Sequence, residues 1–261
     1  MTDPTEPPGH ETIAVTRQPF ATRITLNRPE AQNSITPTML VELGAALDVA
    51  ADDADCRLIV LDAAGPAFCV GMDVTSAASS RPDEVGGAAF YGLLHQLSTH
   101  PKVVVAAVAG RVVGGGVGLA AACDYVWATP ASSFALPELL WGLLPCCILP
   151  FIILRCGVQF ARSMTLSTLP VDTALAWQRG LVDQVMPGFD VALRALSYRL
   201  SKVDPRTVAA GKEYLRKLWV LDDRTEQIVI SEFAAMMSSE VVAERLGDFA
   251  ATQRTPWEAR R

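Results

Sequence analysis

One carboxylate stands out by its surroundings. Glu138 follows Pro137 and has Phe134, Leu136, Leu139 and Trp141 as near neighbours. Apolar neighbours desolvate an ionised carboxylate and raise its pKa toward the range where one group can both accept and return a proton. Upstream lies Gly114-Gly115-Gly116-Val117-Gly118, set between the apolar run Val103–Ala109 and the small residues Leu119-Ala120-Ala121-Ala122. Glycines let bare backbone N–H groups approach a ligand, and a helix N-terminus behind them favours negative charge. A further glycine lies in Ala67-Phe68-Cys69-Val70-Gly71-Met72-Asp73. Proton transfer beside an anion held by backbone donors is the chemistry these residues could do.

The elements that must position them follow from periodicity. Thr12–Arg17 and Thr22–Leu26 alternate like paired strands, and Thr36-Pro37 supplies an N-cap and first-turn proline for a helix over 37–51. Arg57–Leu61, Val103–Ala109 and Tyr125–Ala128 read as strands, and residues 84–98 as an amphipathic helix. Gly157 is expected to start a helix through Met164, Asp172 to cap one that ends at Gly180, and Leu181–Met186 to form a short strand. Helices are expected over Phe189–Leu200, Pro205–Val220 and Arg224–Phe249. The class is therefore α/β with a helical C-terminal region. No internal repeat is evident.

The chain has 261 residues, half of them hydrophobic, which suits a sizeable core. A net charge of −6 argues against a broad nucleic-acid surface. The six cysteines lack metal-ligand spacing and read as free thiols in a reducing compartment, so no metal is expected. The polar, proline-rich start reads as a disordered tail over residues 1–11. The apolar stretch Leu139–Leu154 is shorter than the ~20 residues of a membrane span and is interrupted by Pro145 and Pro150. No membrane role is expected, and the location is expected to be cytoplasmic.

A dinucleotide site is weighed and set aside. Gly116-Val117-Gly118-Leu119-Ala120-Ala121 fits GxGxxA, but Glu138 falls beyond the end of the next strand, where the ribose-binding acid should sit. Cys69 has no base nearby in sequence, Asp124 reads as a turn or capping residue, and His10, His95 and His100 form no triad.

Three segments in order resemble the crotonase (enoyl-CoA hydratase/isomerase) superfamily. They are Leu26-Asn27-Arg28-Pro29-Glu30 with Asn33, then Ala67–Asp73, then Ala109-Gly110-Arg111-Val112-Val113-Gly114-Gly115-Gly116 through Pro137-Glu138. The resemblance implies a spiral of ββα units, with a core over 12–200 and a helical trimerisation region over 201–261. It implies that the amides of Met72 and Gly115, beside Gly71 and Gly116, polarise an acyl thioester carbonyl. Deprotonation next to a thioester puts charge on that oxygen, and one preorganised donor is worth about 3–4 kcal/mol. Familiar hydratases carry two glutamates; the first position is Gly118 here and the second is Glu138. The resemblance thus points to a single-glutamate syn elimination.

Val117–Asp124, Ser133–Glu138, Trp141–Cys146, Ile148–Phe151, Met164–Leu166 and Gly180–Asp183 look like the dehydratases of polyketide β-branching cassettes. That likeness implies loss of water from a 3-hydroxy-3-methylglutaryl thioester, giving 3-methylglutaconyl thioester. The substrate would be tethered as phosphopantetheine on an acyl carrier protein or as CoA, with no metal or redox cofactor. The partner decarboxylase of such cassettes generally lacks the carboxylate, so Glu138 favours the dehydratase. Asp73, Arg81 and Arg111 are candidates to hold the substrate, and Arg28, Lys212, Arg216 and Lys217 to meet the carrier or its phosphopantetheine. The assembly implied is a homotrimer or a hexamer. An enoyl-CoA isomerase, an ordinary hydratase and a silent acyl-carrier-binding subunit remain the alternatives.

Overall fold

A computed structural model describes residues 10–73, 86–218 and 221–258. β1 (Ile13–Gln18) and β2 (Ala21–Leu26) pair antiparallel, as their alternation predicts. Glu11, expected in the tail, is tied down: its N–H and that of Thr12 donate to the Glu42 carboxylate at 2.6 and 2.8 Å. Glu42 lies on α1 (Pro37–Asp52), which begins where Thr36 accepts from the Met39 N–H at 3.2 Å.

Three strand pairs follow: β3 (Leu58–Ala63) with β4 (Ala67–Cys69), β5 (Val103–Val108) with β6 (Arg111–Val113), and β7 (Tyr125–Ala128) with β8 (Ser133–Ala135). Each pair turns a corner and leads on to a helix: α2 (Gly87–Thr99), α3 (Gly115–Ala121) and α4 (Leu149–Ser167). β9 (Val171–Asp172) and β10 (Gln184–Val185) complete the strands found among the described residues. The first strands of the pairs run parallel in a sheet ordered β1-β2-β3-β5-β7-β10, and the second strands run parallel in a sheet ordered β4-β6-β8-β9. The result is a spiral of ββα turns. Its repeat resides in the corners and not in matching side chains, which is why the sequence shows no period.

The unbroken apolar run of β5 has a simple cause. Val104, Ala106 and Val108 face one core with Leu94 and Val126, while Val103, Val105 and Ala107 face a second with Leu58, Val60 and Trp127. A strand buried on both faces has no place for alternation. Leu193 of α6 (Asp190–Leu200) closes the second core.

The helical region differs from expectation in three places. α4 starts at Leu149, eight residues before Gly157, and Gly157 (φ 79, ψ 159) is a break inside it. The strand after α5 (Thr173–Gln178) is confined to Gln184–Val185. Residues 224–249 form two helices, α8 (Asp223–Met237) and α9 (Glu240–Thr252), parted at Ser238-Ser239. α7 (Pro205–Leu218) precedes them and is anchored by Lys212, whose ammonium meets the Asp124 carboxylate at 2.6 Å and the Lys102 carbonyl at 3.0 Å. No helix among the described residues is long and apolar enough to cross a membrane.

Candidate active site

The Arg28–Asn33 loop shapes one wall. Buried Asn33 accepts from the Arg28 N–H and donates to the carbonyls of Ala64 and Ala67, each at 2.8 Å, locking this loop to the β3–β4 corner. Ile35 then donates to the Gly71 carbonyl at 2.8 Å and accepts from the Asp73 N–H at 3.0 Å, forming an isolated parallel bridge with Met72. In such a bridge the N–H of Met72 itself is directed away from Ile35. Gly71 has φ +87, and a Cβ there would stand 3.0 Å from the Val113 carbonyl and 3.2 Å from the Gly115 nitrogen. Only glycine lets the end of β4 lie this close to the start of α3. Gly115 is the first residue of α3, so its N–H has no intrahelical acceptor. Met72 and Gly115 line the same cavity, of about 160 Å³.

Glu138 arrives from the other side. β8 pairs with β6 so that Val113 faces Ala135, and the Gly114 N–H donates to the Ala135 carbonyl at 2.9 Å. That register sets the next residues against the glycine cluster: a Cβ on Gly114 would lie 3.1 Å from Glu138 Oε1. The other oxygen, Oε2, is buried and has no hydrogen-bond partner among the described residues. Burial pushes the Glu138 carboxyl up to about 7, only partly offset by its own backbone N–H. It is therefore divided between acid and base near neutrality.

The position of a second carboxylate is closed. Gly118 is buried, and a Cβ there would fall 2.2 Å from Ile148 Cγ2. Ile148, at the start of α4, also lines the cavity. The rest of the wall is largely apolar, with Phe90, Trp141, Leu143, Phe233 and Leu246 from four distant segments. Its described lining contains two carboxylates, Asp73 and Glu138, and no Lys or Arg.

Residues 18–260 match the sequence profile of the enoyl-CoA hydratase/isomerase family. The chain belongs to this family. It is 32% identical over 253 residues to the bacillaene synthase dehydratase PksH of Bacillus subtilis, covering 95% of this chain and 97% of that one. The crystal structure of PksH superposes with a TM-score of 0.86 at 31% identity, over 95% of this chain and all of the other. The 2,3-dehydroadipyl-CoA hydratase of Escherichia coli is 30% identical, over 78% of this chain and 82% of that protein. The fold is the crotonase fold, and the protein is a hydro-lyase of the hydratase/dehydratase type.

Within this family member the remaining candidates separate. Asp73 lines the cavity and is held by Ser34 at 3.0 Å and Arg28 at 3.3 Å. Arg28 also donates to the Ser34 carbonyl at 2.6 Å, so its guanidinium braces the loop. Arg111 is exposed on β6 and outside the cavity lining, which corrects its expected place beside the substrate. Lys212 is a second correction: with its side chain 14% exposed and spent on Asp124, it ties α7 to the core and offers no charge to a carrier. Arg216 and Lys217 are exposed on α7, Lys217 pairing with Glu213. Arg81 lies outside the described residues. Burial pushes the Cys69 thiol up to about 12, which removes it as a nucleophile. Sequence reasoning missed Ile148, Phe90, Phe233 and Leu246 as wall residues; their apolar periodicity marks them as core but not which cavity they face.

Proposed function

We propose that the protein dehydrates a 3-hydroxy-3-methylglutaryl thioester carried on an acyl carrier protein, with Glu138 moving every proton. The ionised carboxylate takes the α-proton, and the electron pair of that bond moves onto the thioester oxygen. The N–H groups of Met72 and Gly115 stabilise this enolate. The pair returns to form the Cα–Cβ double bond as the β C–O bond breaks, and protonated Glu138 gives its proton to the departing hydroxide. Water leaves and the carboxylate is restored. Both transfers take place on one face, as a single acid/base requires.

The observation that carries this reading is the single carboxylate beside the glycine cluster, the other lining carboxylate, Asp73, being held by Ser34 and Arg28. Glu138 has an unpartnered buried oxygen beside the glycine cluster, while Ile148 fills the space against Gly118. The likeness to the bacillaene synthase dehydratase supports the carrier-bound substrate. The exposed residues Val158 and Leu166 of α4 and the neighbouring Leu169 support burial in a homotrimer, which we place in the cytoplasm. No metal or redox cofactor takes part in these steps.

A second reading rests on a different observation. The described lining has no cation to meet a distal carboxylate, which suits a plain acyl chain on CoA and a hydratase or isomerase reaction. Incubation with 3-hydroxy-3-methylglutaryl carrier protein, followed by mass spectrometry, decides between them. Loss of one water is the expected result. No change in this substrate, with water added to or the double bond moved in an enoyl-CoA, would establish the second reading.

A further inference from the structure

We propose that an aromatic clamp from the C-terminal segment holds Trp141 as the dry wall beside Glu138, making Trp257 a positioning residue for the reaction. This rests on Glu138 as the acid/base. Glu138 opens a single helical turn, Glu138–Trp141, closed by hydrogen bonds from Gly142 to the Leu139 carbonyl and from Leu143 to the Glu138 carbonyl at 3.1 and 3.0 Å. So short a turn has little stiffness of its own and depends on what packs against it.

Three contacts from the far end of the chain supply the support. Phe249 of α9 meets the Trp141 ring edge-on at 5.3 Å and 80°. Trp257 meets it from beyond α9 at 5.5 Å and 86°. Arg245 donates from α9 to the Leu140 carbonyl at 3.2 Å. Edge-to-face rings at these separations attract and fix each other's orientation. Trp141 itself lines the cavity, so the clamp and the reacting carboxylate are joined through one short turn. Beneath it, Leu143, Met237, Val242 and Leu246 form a separate apolar cluster that seals this side.

The groups around the site give the clamp a readable signature. Asp73, Cys146 and Cys147 also line the cavity, and Arg245 stands on α9. Loss of the Trp257 ring frees one edge of Trp141 and admits water to the Glu138 carboxylate. The ionised form then gains solvation.

The test compares wild type with Trp257→Ala and Trp257→Phe, reading kcat, KM and the pH midpoint of kcat/KM on the carrier-bound substrate. Trp257→Ala is expected to lower kcat about ten- to a hundredfold, with KM little changed. Its midpoint is expected to fall from about 7 toward the ordinary carboxylate value, and Trp257→Phe, which keeps an edge-on ring, should restore both. Should Trp257→Ala not fold, Phe249→Leu removes the other ring and is read the same way. Unchanged kcat and midpoint in the variant, or equal losses in the Ala and Phe variants, would overturn the clamp and leave Glu138 in its role. A wild-type profile without a midpoint near 7 would instead remove the role of Glu138, and the clamp with it.

Discussion

Glu138→Gln is expected to lose about 100-fold or more in kcat, because general acid–base catalysis by a positioned group contributes about 10²–10⁴. The amide keeps the shape of the side chain but can neither take the α-proton nor protonate the leaving hydroxide. The oxyanion donors stay in place, so KM should change little. The same variant should fold more stably at alkaline pH. The native state holds the Glu138 proton up to about 7, while an unfolded glutamate releases it near 4.5. Between these values the native state binds more protons, so stability falls as pH rises and is level above about 7. Glu138→Gln removes this loss, worth up to about 3 kcal/mol. Denaturant unfolding at pH 5 and pH 8 would show the gain, and a variant no more stable at pH 8 would contradict the burial argument.

Gly118→Glu is expected to cost more than about 3 kcal/mol of stability and to create no two-carboxylate hydratase. A Cβ at this position would lie 2.2 Å from Ile148 Cγ2 and 3.4 Å from Leu94 Cδ1, both in a packed core. Overpacking alone costs about 1–3 kcal/mol, and a buried carboxylate without a partner adds more. Ile148→Ala opens the space at its own cost of about 2–5 kcal/mol. The two changes should therefore be non-additive, the double variant being more stable than the sum of the singles predicts. Chemical denaturation of the three variants measures this cycle. A Gly118→Glu protein as stable as wild type would show that the space is open.

Much of this architecture could be read from the residues. Thr36-Pro37 marked the start of α1, and Tyr125–Ala128 was read with both ends correct, because apolar runs bounded by turn residues leave little choice of register. The break at Ser238-Ser239 was invisible because no Pro or Gly marks it. Asn33, Gly71 and the glycine cluster were legible as motifs, and the structure supplies their physical reason: one hydrogen-bonded loop and one close backbone approach bring the ends of β4 and β6 together. Gly118 was visible as the missing carboxylate, but Ile148, which fills its space, depends on how α4 docks. Lys212 misled for the same reason. Its partner Asp124 lies 88 residues away, and nothing local on α7 announces that the charge is turned inward.

The pH dependence of kcat/KM for wild type and Glu138→Gln, measured side by side on the carrier-bound substrate, tests the central claim that one carboxylate moves both protons. The ionised form is needed at the outset in elimination and, by microscopic reversibility, in hydration. The wild-type rate should rise through a single midpoint near 7 to a plateau, and the residual rate of Glu138→Gln should show no such rise. Matching profiles for the two proteins, at comparable rates, would contradict it.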